Sequence, residues 1–165
     1  MKKLIARLFA SSALIALVFA NVAVAHEYSH GGVDIEHPWS RPTPPGTPMG
    51  VGYLVIRNNS DKEISLVGAS TPRAVRVSIH ETRMKADVMS MRWLESGLTI
   101  PAGETVELKP SSYHLMLEKL AEPLKAGESI PLTLEFEGAE RMQVELKVQF
   151  LDADMKEPET THSEH

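Results

Sequence analysis

Tyr113-His114-Leu115-Met116-Leu117-Glu118 is the stretch on which the fold turns. Tyr113, Leu115 and Leu117 alternate with His114, Met116 and Glu118. A period of two is the mark of a strand with one apolar face. The same alternation recurs outward from it. Val75, Val77 and Ile79 interleave with Arg76, Ser78 and His80. Leu132, Leu134 and Phe136 interleave with Thr133 and Glu135, and Val144, Leu146, Val148 and Phe150 with Glu145, Lys147 and Gln149. Further strands are predicted at Val33 to His37, Gly52 to Arg57, Glu63 to Ala69, Val88 to Trp93 and Thr105 to Lys109. Turn signals separate them: Asn58 to Asp61, Pro101 to Gly103, Lys109 to Ser111, Ala126 to Glu128 and Glu137-Gly138. No helix of normal length and no internal repeat is evident. Arg41 to Pro48 is a Pro-rich loop that cannot join a central strand. Many short strands at close spacing predict an all-β, antiparallel β-sandwich.

The same central stretch carries chemistry. Residues two apart in a strand share a face, about 7 Å apart. His114 and Met116 therefore project together, opposite Leu115 and Leu117. His80 ends its strand on the parity opposite Ile79. Met89, Met91 and Trp93 share a face of a third segment. Imidazole and thioether suit soft, monovalent copper. The chain has no Cys, so no thiolate site can form. A protein holding Cu(I) in an oxidising compartment gains from that, because cysteines there tend to form disulfides. Plainer roles stay open from pattern alone. Met89 and Met91 also suit core packing against Trp93, and a lone His at a strand end is commonly a surface residue.

The N-terminus predicts export. Lys2, Lys3 and Arg7 form a basic start, Leu8 to Phe19 an apolar run, and Ala23-Val24-Ala25 a small-x-small cleavage site. A cut after Ala25 is expected, leaving 140 of the 165 residues, with no stable membrane insertion afterwards. No cysteine stands at that cut to take a lipid. The loss of three basic residues moves the formal charge from −5 to −8, a poor match for nucleic acid, which requires a basic face. The expected organisation is a signal peptide at 1–25, a flexible segment at 26–32, one domain at 33–151 and a flexible acidic tail at 152–165.

A family resemblance now bears on these residues. His80-Glu81-Thr82, Val88-Met89-Ser90-Met91-Arg92, Ile100-Pro101-Ala102-Gly103, Val106-Glu107-Leu108-Lys109-Pro110 and Tyr113-His114-Leu115-Met116-Leu117 resemble the signature of the PCu(A)C periplasmic copper chaperones. Ile35-Glu36-His37-Pro38-Trp39-Ser40-Arg41 and Gly52-Tyr53-Leu54 are also similar to it. The likeness runs from about Val33 to Phe150. Ten residues separate His80 from Met91, and 22 separate Met91 from His114. The second gap is one residue longer than the family's, an insertion placed near Glu95 to Gly97. It leaves Met89 as an alternative to Met91.

The resemblance implies a cupredoxin-like Greek-key β-sandwich with a Cu(I) site formed by His80, Met91, His114 and Met116. It implies a non-enzymatic copper chaperone that serves the copper centre of a haem–copper oxidase. The expected partners are copper ions and either the oxidase copper-centre subunit or a thiol-bearing assembly factor. A periplasmic copper buffer is the alternative. A blue-copper electron carrier is excluded by the missing thiolate, and a histidine-brace oxygenase built on His26 finds no support. Met84 is a candidate auxiliary ligand. A second, Cu(II) ion is expected, if anywhere, at the terminal segments: His26 and His30 at one end, Met155, His162 and His165 at the other.

Overall fold

A computed structural model of the chain describes residues 27–150; the expected leader and the acidic tail, with His26, Met155, His162 and His165, lie outside the described residues. Eleven strands follow in order: β1 (Glu27–His30), β2 (Val33–Ser40), β3 (Met49–Asn58), β4 (Ile64–Ser70), β5 (Ala74–Lys85), β6 (Val88–Trp93), β7 (Leu98–Ile100), β8 (Thr105–Leu108), β9 (Tyr113–Leu120), β10 (Ser129–Glu137) and β11 (Met142–Val148). The described residues contain no helix, hence none long and apolar enough to cross a membrane.

The strands form one hydrogen-bonded sheet that closes on itself. Its path runs β5-β9-β3-β2-β11-β10-β4 and returns to β5. The seam is slight, a single register pair between Ala69 and Val77. β6 pairs with the C-terminal part of β5, beyond the seam, β7 with β4, and β1 with β2. Closure turns one face of each strand on that path inward, as the alternation demands. Leu54, Ile56, Leu66, Leu115, Leu117, Leu132, Leu134, Val144 and Leu146 are all buried there. Each such side chain contributes roughly 1.5–3 kcal/mol of burial.

Several expectations need correction. Glu27–His30, expected to be flexible, is a strand paired with Val33 to Glu36. Gly31 and Gly32 turn the chain with φ of 58° and 82°, the positive values a two-residue hairpin requires. Val75 was expected inside but is 77 % exposed, because it lies beyond the one-pair seam where β4 no longer covers β5. Phe150 falls past the end of β11 and is 54 % exposed. β2 continues through Pro38, which the sequence reading left outside it. A register shift between Glu36 and Trp39 makes room for a residue that lacks an N–H.

Candidate metal centre

β5 lies between β9 and β6, and its register sets the site. Directly opposed residues of antiparallel strands point to the same face. Ser78 faces Met116; His80 faces His114 on one side and Trp93 on the other; Thr82 faces Met91; Met84 faces Met89. These side chains therefore occupy successive rows of one face, the one turned away from Ile79 and Leu115. The structure brings His80, His114 and Met116 into two neighbouring rows. Met91 stands in the row on the other side of His80. Met89 is a further row away, opposite Met84. Glu95 and Ser96 form a turn between β6 and β7.

Hydrogen bonds fix both imidazoles. His114 Nδ1 lies 3.1 Å from the Ser112 carbonyl oxygen. A carbonyl only accepts, so Nδ1 carries the proton and Nε2 keeps its lone pair. Ser78 Oγ donates to Glu118 Oε1 at 2.6 Å. Its single proton is thereby used, so it accepts from His80 Nε2–H at 2.9 Å. That leaves the His80 lone pair on Nδ1, which is buried and has no hydrogen-bond partner among the described residues. The two rings stack, with centroids 5.8 Å apart and planes 28° apart. Burial is the main force lowering the His80 pKa, assisted by the neighbouring His114 and Arg76 and opposed by Glu118. The shift favours the neutral ring, the form in which an imidazole can bind a metal.

Around these rings the sheet is braced. The Arg76 guanidinium sits 4.6 Å from the Trp93 ring centroid and 3.8 Å from Glu118 Oε1. On the opposite face of the β5–β6 hairpin, Glu81 bonds Arg83 at 2.7 Å and Arg92 at 2.8 Å. Arg83 and then Arg92 hold its carboxyl below the usual range.

The donor set fits a soft ion. Among the described residues no three His, Cys, Asp or Glu side chains come together as a metal site. An ion held at the paired imidazoles must draw on thioethers, and neutral N and S donors favour Cu(I). Burial departs from expectation at two points. Met89 and Met91 are 60 % and 51 % exposed, which overturns a core role for either. His114 does project off the leucine face, yet it is only 5 % exposed. Ring stacking and the Ser112 bond enclose it.

Residues missed by the sequence reading are Ser78 and Glu118. Their sole signal was a polar residue two before His80 and an acid two after Met116. Pairing between strands 40 positions apart is not legible from either. His30 ends β1 and bonds Glu140 at 2.6 Å. Trp39 and Tyr53 are register partners with ring centroids 4.6 Å apart, a packing contact between β2 and β3.

Comparison with known proteins agrees with this architecture. The LpqE-like lipoprotein family matches residues 33–148. The Leifsonia xyli subsp. xyli protein Lxx21020, whose name describes a lipoprotein, is 34 % identical over 105 residues, 64 % of this chain. The match spans only 62 % of that relative's own length. The copper-bound PCuAC domain from PmoF2 superposes with a TM-score of 0.64 at 25 % identity, covering 75 % of this chain and 97 % of that domain. The Cu(I) form of DR1885 from Deinococcus radiodurans gives 0.57 at 30 % identity, covering 79 % and 85 %. With a family match across nearly the whole closed sheet, and copper-binding PCuAC domains as its structural neighbours, the chain belongs to the LpqE-like, PCuAC-type family.

Proposed function

We propose that this chain is a copper chaperone that binds one Cu(I) through His80, Met91, His114 and Met116 and passes it on without chemical turnover. One observation carries the reading. A buried imidazole nitrogen, His80 Nδ1, has no partner among the described residues, and the ring stacked on it keeps a free lone pair on Nε2. Leaving such a buried polar atom unmatched costs about 1–3 kcal/mol, a cost that metal coordination offsets. Met116 and Met91 flank the imidazoles on either side. Neutral thioethers exchange one at a time, which suits delivery better than storage. The copper-bound state of the PmoF2 and DR1885 proteins supports the same cargo here.

The wider setting rests on the sequence. Cleavage after Ala25 places the domain, 33–151, in the periplasm as a cupredoxin-like Greek-key sandwich. The recipient is the copper-centre subunit of a haem–copper oxidase or a thiol-bearing assembly factor. The tail residues Met155, His162 and His165 take Cu(II).

The test is a Cu(I) competition titration under reductant, followed by transfer to an apo oxidase copper-centre subunit. Because His114 is enclosed, His114→Ala perturbs packing as well as binding. The cleaner variant is Met91→Leu with Met116→Leu, at half-exposed positions. Loss of tight binding in that variant, with an unchanged unfolding midpoint for the apo protein, is the expected result. Wild-type affinity in it refutes the ligand assignment. Tight binding with no transfer to any oxidase acceptor refutes delivery and leaves a copper buffer.

A further inference from the structure

The free end of the β5–β6 hairpin holds a second group of soft ligands. Met84 is directly opposed to Met89, and Met91 lies two residues along, opposed to Thr82. Opposed Cβ atoms are about 4.5–5.5 Å apart, and residues two apart on one strand about 7 Å. Three thioethers thus share one face within reach of a common centre. Each has three rotatable bonds with which to converge. They are 64 %, 60 % and 51 % exposed. Methionine ordinarily fills cores, and here three of them stand in solvent with no core to fill.

The platform beneath them is fixed. Ala86 and Asp87 both take positive φ, 48° and 62°. This is the two-residue turn that locks hairpin register, here pairing Lys85 with Val88. The Arg83–Glu81–Arg92 bridges clamp the opposite face. Without that register Met84 and Met89 would not meet. No carboxylate of the hairpin shares the thioether face in its paired rows, so the group offers little to a hard or divalent ion. On the neighbouring strand Met91 is flanked by His80 on one side and Met84 on the other.

We propose that Met84, Met89 and Met91 form a second, weaker and solvent-facing Cu(I) site, from which the ion moves to the imidazole pair through their shared ligand, Met91. The ion stays monovalent throughout. Neutral sulfur is replaced by neutral nitrogen, so no electron or proton needs to be supplied. The destination rests on the function proposed above; the hairpin site itself does not.

The experiment uses the full chain with methionine methyl groups labelled for NMR and Ag(I) as a redox-inert soft monovalent probe. Three proteins are compared: wild type, Met84→Leu with Met89→Leu, and His80→Ala with His114→Ala. In wild type the Met91 and Met116 methyls should shift with the first equivalent, and Met84 and Met89 only with further probe. The Met84/Met89 variant should keep the first event, lose the second and load more slowly. In the double-histidine variant Met84 and Met89 should still shift, now with the first equivalent. Met84 and Met89 methyls that stay unmoved at saturation in wild type and in the double-histidine variant would overturn the hairpin site. Wild-type loading speed in the Met84/Met89 variant overturns the transfer route. Undiminished tight binding by the double-histidine variant would instead overturn the main-site assignment, while Met84 and Met89 shifts in that variant still uphold the hairpin site.

Discussion

Replacing Ser78 by Ala isolates what positions the buried, unpartnered nitrogen of His80. Ser78 is 4 % exposed and touches both neighbours, Glu118 at 2.6 Å and His80 at 2.9 Å. The substitution removes one oxygen and leaves the backbone register with Met116 intact. Glu118 keeps partial solvent contact and its proximity to Arg76, so its loss is small. The His80 Nε2–H is left without an acceptor. An unmade hydrogen bond at a buried donor costs about 1–3 kcal/mol, which denaturant unfolding of the apo protein should read directly. The second effect is on metal. With the acceptor gone, the proton is no longer fixed on Nε2, and Nδ1 loses its reserved lone pair. Loss of such an outer partner typically costs about 10–100-fold in metal affinity. Cu(I) competition should show a drop of that order. Imidazole nitrogen NMR of the apo protein should report His80 changing from one tautomer to a mixture. Ser78→Thr, which keeps a hydroxyl, should recover most of both losses. If Ser78→Ala binds Cu(I) as wild type does and His80 keeps its tautomer, the Glu118–Ser78–His80 chain plays no part in the site.

Two further outcomes are expected. The folded His80 pKa lies below the ordinary value of about 6.5, so the unfolded chain takes up this proton first as pH falls. Apo stability should therefore drop as pH falls from about 6.5 to the lower folded value and then level off; denaturant midpoints across pH, with His80→Gln removing part of the slope, check this. Gly97 holds φ +85°, and an added Cβ would stand 2.5 Å from the Leu66 carbonyl oxygen. Gly97→Ala should cost more than about 1 kcal/mol in thermal or denaturant unfolding, and should weaken Cu(I) binding as well, because the same corner anchors β6 and Met91.

The sequence by itself determined the strongly alternating strands and the parity of His80, His114 and Met116. Alternation is a local property: the pleat repeats every two residues, so Leu115 inward means His114 and Met116 on the other face. It also determined the chemistry of the donors, since His, Met and no Cys narrow the ion to a soft one. Strands with weak alternation escaped it. β1 is short and polar, and its Gly31-Gly32 turn was the one signal available. Leu98–Ile100 has too few residues to show a period. The tertiary structure decided which strands are neighbours and in what register. Only that placed Ser78 against Glu118, stacked His80 on His114, set Met84 opposite Met89, and left Val75 outside a thin seam. Those contacts arise from pairing between strands far apart in the chain. Such pairing is selected by closure of the whole sheet around one core, and no local window contains it.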